Sequence, residues 1–231
     1  MTRTIDLNAD LGEEITDDAA LLAVVTSANV ACGYHAGTPA TMRFVCEEAA
    51  RRGVAIGAQV SYADRAHFGR RALDISPSLL RDHVFDQVGT LCEIADAAGV
   101  RVSYVKPHGA LYNRVVTDPE QAAAVLAGSG DLPVLGLPGG VFVAAAAAAG
   151  RQVFREGFPD RGYTPSGQLV PRDQPGALVE EVEVVAANAV RLADAVDSVC
   201  VHGDSPSAVD AALAVRRALE AAGWSLAPFV R

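Results

Sequence analysis

Short runs rich in β-branched residues alternate along this chain with longer Ala-rich runs whose apolar positions recur at helical spacing. The β-type runs are residues 4–10, 27–32, 54–59, 102–108, 134–138, 152–157 and 198–204. Helical runs lie between and after them at 39–52, 77–98, 119–127, 141–149, 177–195 and 207–222. Several are entered through Pro or Ser, which suit the start of a helix. Strand and helix in regular succession is the pattern of βα units round a parallel sheet, and seven such units can be counted. Two connections, 60–75 and 158–176, are longer than a compact βα unit needs. Both follow the carboxyl end of a strand, where parallel sheets place their binding sites.

Alternation also sorts the polar residues. In the first strand Asp6, Asn8 and Asp10 share one face while Leu7 and Ala9 take the other. A buried polar face is costly unless it is hydrogen-bonded or lines a site. Glu13 and Glu14 follow directly, as further site carboxylates or as an acidic helix cap. In the fourth strand Lys106 and His108 share a face, and Lys106 is the only lysine among 19 basic side chains. An ammonium is a compact donor whose proton affinity responds to burial, so a lone lysine among arginines points to an electrostatic or proton-transfer role, with a salt bridge as the plainer reading. The seventh strand ends with His202 and Asp204 on a common face. They form an oriented base and its carboxylate, or Asp204 caps a helix starting near Ser205.

Other candidates sit in loops. After the second strand, Asn29-Val30-Ala31-Cys32-Gly33-Tyr34-His35 presents His35 at the mouth or keeps it as a core histidine, with Cys32 a small buried hydrophobe. Pro138-Gly139-Gly140 offers free backbone N–H groups to an anion, or is an ordinary turn. Arg161 and Arg172 place cations near the same rim, and a guanidinium is well shaped to clamp a carboxylate. His67 and His83 read as surface residues.

Composition narrows the classes. At 231 residues with 50% hydrophobic side chains, one domain over residues 1–231 can bury its own core. A formal charge of −9 argues against nucleic acid or an anionic membrane as partner. Cys32, Cys46, Cys92 and Cys200 form no C-x-x-C pair, so neither a zinc knuckle nor a disulfide framework is indicated. The opening MTRTIDLNADLGEE lacks an apolar leader core and no run is long enough to span a bilayer, so the cytoplasm is the expected location. The chain also lacks a G-x-x-x-x-G-K-[ST] nucleotide loop.

In chain order, IDLNADLGE, SANVACGYHAG, GVAIGAQVSYAD, FGRR, VKPHGALYN, DRGY, LVPR and VHGD closely resemble the LamB/YcsF family, that of the A subunits of bacterial 5-oxoprolinase. The resemblance runs from Ile5 to Asp204. It implies an irregular seven-stranded (β/α) TIM-like barrel akin to the glycoside hydrolase and deacetylase superfamily. It also implies ATP-dependent opening of 5-oxo-L-proline to L-glutamate with B and C subunits, the ATP being held mainly by those partners. Asp10, Lys106 and His108 are then the expected catalytic residues. Asn8, Asn29, His35, Gln59, Arg161, His202 and Asp204 are the expected substrate contacts, with homo-oligomers also possible. One block departs from the family, which has GAHPS[FY]PD where this chain has Gly57-Ala58-Gln59-Val60-Ser61-Tyr62-Ala63-Asp64. Deacetylase-like barrels hold a divalent metal on an Asp and two His, for which the corresponding set here is Asp10, Gln59 and His108. An amide is a poor ligand for zinc-like metals, so Asp10 and His108 are weak metal candidates. The rival readings are a metal-dependent deacetylase or amidohydrolase acting alone, and a non-catalytic regulatory subunit.

Overall fold

The computed structural model describes residues 3–204 and 207–230. Strands β1 (Arg3–Leu11), β2 (Ser27–Ala31), β3 (Ala55–Val60), β4 (Val102–Pro107), β5 (Val134–Gly136), β6 (Val153–Gly157) and β7 (Ser198–Val201) pair in sequence order, all parallel. Pairing of β7 with β1 closes them into a seven-stranded barrel, as the resemblance implies, from the seven parallel βα units that the alternation predicts. Helices α1 (Asp18–Leu22), α2 (Pro39–Arg52), α3 (Pro77–Ala97), α4 (Gly109–Thr117), α5 (Pro119–Gly128), α6 (Val141–Ala148), α7 (Val182–Leu192) and α8 (Ala208–Ala221) are the connections' helical parts. The Pro-led helices are capped as their sequences dictate: Thr38, Ser76 and Asp118 each accept a backbone N–H from the first turn.

Four elements differ from the pattern, the first being α1, a five-residue helix too short for helical periodicity to reveal. α4 begins at Gly109, which reads as a turn residue in sequence but adopts φ +60° at the helix start. A short strand β8 (Trp224–Leu226) pairs with the Arg3–Ile5 end of β1, too brief for alternation to reveal. α7 starts at Val182 rather than at 177, because the preceding segment is tied to the β6 loop: Gly162 N donates to Ala177 O and Val179 N to Asp160 O.

The apolar core lies between barrel and helices, where Ile5, Leu7, Ala9 and Leu11 of β1 pack with residues such as Leu21, Val215 and Leu219. Burial there supplies most of the driving force for this layered fold. Inside the barrel the side chains are polar to an unusual degree: Asp6, Asn8, Asp10, Ser27, Asn29, Gln59, Lys106, Glu156 and Ser198 are all buried. Most are hydrogen-bonded, while Glu156 is held by its ion pair with Lys106 and Gln59 Oε1 has no hydrogen-bond partner. Ser27 and Thr26 donate to Asp6 Oδ1, each at 2.6 Å, Ser198 donates to Asp6 Oδ2, and Asn8 donates to Ser198 at 2.6 Å. Phe229 closes the amino-terminal end of the barrel against the rings of Tyr104 and Phe154. Among the described residues no helix is long and apolar enough to cross a membrane.

Candidate active site

A cavity of about 380 Å³ opens at the carboxyl ends of the strands, lined among others by Asp10, Lys106, His108, Phe158, Arg172 and His202. Its size is that of a small-molecule site. Lys106 is 2% exposed, with Nζ 3.1 Å from Asp10 Oδ1, 2.8 Å from Glu156 Oε1 and 3.2 Å from Cys200 Sγ. Burial alone would lower the ammonium's proton affinity, yet the charges of Asp10 and Glu156 hold it well above the usual lysine range. Burial likewise pushes the Asp10 carboxyl upward, and the opposing pull of Lys106, His202 and His108 leaves it well below the usual carboxylate range. A buried ion cluster of this kind contributes little net stability, so its placement on a cavity points to function.

Behind the cavity wall lies a second cluster. His35 and His108 stack with centroids 4.0 Å apart, and Glu13 Oε1 stands 3.5 Å from His35 Nε2 and 3.6 Å from His108 Nδ1. Burial and repulsion from Asp10 and Asp204 raise Glu13 well above the usual range. Burial lowers His35 to about 4, and burial with the neighbouring His35 lowers His108 well below its ordinary value. His108 is braced further: its Nδ1 meets Gln59 Nε2 at 3.0 Å, and its Nε2 donates to Phe68 O at 3.1 Å. The loop carrying Phe68 fits tightly, since a Cβ at Gly109 would stand 2.4 Å from Gly69 O.

The residues Glu13, His35 and His108 offer ligand atoms within 4.8 Å of one another. A divalent cation would fit once the Gln59 amide turns away, since His108 Nδ1, the nitrogen nearest Glu13, is met by Gln59 Nε2 at 3.0 Å. Metal bonds of about 2.1 Å in a tetrahedral shell set donors roughly 3.4 Å apart, close to the two separations seen. Glu13 Oε1, both nitrogens of His35 and Gln59 Oε1 are buried without hydrogen-bond partners, so their lone pairs are free to take a ligand. A metal here would polarise a carbonyl or activate a water. The triad shares His108 with the set Asp10, Gln59 and His108 that the resemblance implies. Asp10 is turned instead toward Lys106 and Asn29, and Gln59 supports His108, while Gly12, at φ +72°, turns the chain so that Glu13 folds inward.

The remaining expected residues fall in three places. Asp10, Lys106, His108, Arg161 and His202 line the cavity. Asn8, Asn29, His35 and Gln59 lie behind its floor, fully buried or nearly so, and do not line it. Asp204 sits at the rim, paired with Arg70 and 3.7 Å from Arg172. Arg161 donates from Nε to Ala177 O at 3.0 Å and from a terminal nitrogen to Val170 O at 2.7 Å, so much of its guanidinium staples the 158–181 loop. The carboxylate beside His202 is Asp160, 2.8 Å from Nδ1, rather than Asp204. Pro138-Gly139-Gly140 lies away from the cavity lining. Two participants went unrecognised in sequence: Glu156, which alternation places inside the barrel with Phe154, and Asp160, signalled only by its place in the long loop.

Fold and site together define a (β/α)-barrel protein with a charged, ligand-sized cavity at the strands' carboxyl ends. Residues 5–231 match the family model described as LamB/YcsF family, and the chain belongs to that family. It is 55% identical to the 5-oxoprolinase A subunit of Streptomyces avermitilis, over 97% of this chain and 99% of that one. The protein of the same name from Mycobacterium avium is 52% identical, over 97% and 98%. Among solved structures, the lactam utilization protein of Thermus thermophilus superposes with a TM-score of 0.90 at 37% identity, covering 97% of this chain and 99% of that one. A family 4 carbohydrate esterase from Streptomyces lividans shares the fold, with a TM-score of 0.53 at 11% identity over 97% of this chain and 91% of that one.

Proposed function

We propose that this chain is the A subunit of an ATP-dependent 5-oxoprolinase, supplying the pocket in which the lactam of 5-oxo-L-proline (pyroglutamate) is opened to L-glutamate. The observation that carries the reading is Lys106, the chain's one lysine, held charged between two carboxylates on the floor of a cavity sized for a small molecule. The names of close relatives agree with it.

Opening an amide requires stabilisation of the carbonyl oxygen as water adds, an acceptor for the water's proton and a donor for the departing nitrogen. Lys106 meets the first need. Asp10, ionised beside it, accepts from the attacking water. His108 shapes the floor, since both its ring nitrogens are engaged by Gln59 and Phe68 O. His202 is oriented through Nδ1 by Asp160, and its Nε2, unpartnered among the described residues, delivers the proton to nitrogen. Arg70 and Arg172 on the rim receive the substrate carboxylate, a role that the stapled Arg161 is less free to fill. A five-membered lactam closes readily, so its opening benefits from coupling to ATP. Nucleotide binding falls to the B and C subunits, because the lone lysine is followed by Pro107 and forms no nucleotide loop. They pass the terminal phosphoryl group of ATP to the lactam oxygen, water addition and C–N cleavage leave an acyl phosphate, and its hydrolysis releases L-glutamate and inorganic phosphate. Dependence on ATP suits a reaction in the cytoplasm.

The test mixes this chain with its candidate B and C partners, ATP and 5-oxoproline, omitting each in turn. Glutamate is expected only from the full mixture. The triad Glu13, His35 and His108 supports a second reading, an amidohydrolase acting alone. Ring opening by the isolated, metal-loaded chain without ATP would establish that reading and overturn the first, as would ATP hydrolysis that yields no glutamate.

A further inference from the structure

We infer that Tyr104 is a positioning residue for the Asp10 carboxylate, acting through Asn29 from deep within the barrel, an inference that rests on the ring-opening reading above. Four adjacent strands set the participants in one row: Asp10 on β1 is in register with Asn29 on β2, Asn29 with Gly57 on β3, and Gly57 with Tyr104 on β4. Tyr104 reaches across its neighbour. A Cβ at Gly57 would stand 2.1 Å from Tyr104 Cε2, so only glycine leaves the ring its path.

The phenol donates to Asn29 Oδ1 at 2.7 Å. That bond decides which end of the amide is which. With Oδ1 committed to the phenol, Nδ2 faces the other way and donates to Asp10 Oδ1 at 2.9 Å and Asn8 Oδ1 at 2.7 Å. Asp10 Oδ1 therefore holds two donors, Asn29 and Lys106, and Oδ2 has no hydrogen-bond donor among the described residues. One oxygen is anchored and the other is left for the reaction. Tyr104 and Asn29 are both 0% exposed and neither lines the cavity, so their influence on substrate passes through Asp10. A phenol serving only to satisfy the core would change stability when removed, without a selective effect on turnover.

The experiment measures kcat and KM separately for Tyr104→Phe, Asn29→Ala and the double variant, in the reconstituted mixture with B and C partners, alongside unfolding midpoints. Tyr104→Phe is expected to lower kcat about tenfold with KM changed by less than about twofold, the loss from one misplaced hydrogen bond. The double variant should lose no more than Asn29→Ala alone, because both act on one carboxylate by one route. Gly57→Ala, which keeps the phenol but blocks its path, should reproduce the kcat loss. Unchanged kcat in a folded Tyr104→Phe protein, or single losses that multiply, would overturn the inference. If the wild-type mixture opens no lactam, the ring-opening reading fails by itself. The Asn29 side-chain amide signals in NMR then decide: exchange with solvent about tenfold faster in Tyr104→Phe supports the linkage, and equal exchange overturns it.

Discussion

Asp6 gives the polar barrel interior a pH signature. Its carboxyl is fully buried, and burial raises it from 3.8 to about 6 despite hydroxyl donors from Ser198, Ser27 and Thr26. The folded state therefore keeps the Asp6 proton between pH 3.8 and about 6, where the unfolded chain has released it. Stability contributed by this group is full below that window, falls as pH rises through it, and is flat above. With each tenfold change in proton affinity worth about 1.4 kcal/mol, the loss is about 3 kcal/mol. Asp6→Asn removes the titration and adds a pH-independent offset from altered hydroxyl bonding. Denaturant unfolding of both proteins between pH 3.5 and 7.5 isolates the effect, because other titrating groups cancel in the difference. Wild type should lose about 3 kcal/mol relative to Asp6→Asn across the window. A difference that stays constant, or that grows in favour of wild type as pH rises, would refute the reasoning.

Two further perturbations follow from the site. Glu13→Gln should abolish zinc-dependent stabilisation: at a hundredfold excess over Kd the metal should stabilise wild type by about 2.7 kcal/mol and leave the variant's unfolding midpoint unmoved, read by thermal denaturation with metal analysis. Gly109→Ala should cost at least about 2 kcal/mol, since alanine is strained at φ +60° and its Cβ would meet Gly69 O at 2.4 Å, with circular dichroism recording a lower midpoint.

The architecture was legible because alternation survives in strands buried on both sides. Asp6, Asn8 and Asp10 on β1, and Lys106 with His108 at the end of β4, announce inward faces that the closed barrel brings together. What sequence spacing hides are choices made by folding. Glu13 joins the histidines only because Gly12 bends the chain, and Arg155-Glu156 looks like a surface pair until the barrel turns Arg155 outward to Asp197 and Glu156 inward to Lys106. His202 has a carboxylate two residues away, yet takes Asp160 from a different loop, while Asp204 goes to Arg70. Arg161 shows the same limit from the other side: its shape suits a substrate carboxylate, but backbone carbonyls of its own loop claim it.

The most direct measurement concerns the lone ammonium between Asp10 and Glu156. In the complete mixture with B and C partners, Lys106→Met should retain a folded barrel by circular dichroism, with glutamate formation reduced on the order of 10²- to 10³-fold, as for loss of an oxyanion donor. A folded Lys106→Met protein that forms glutamate at the wild-type rate would contradict the account.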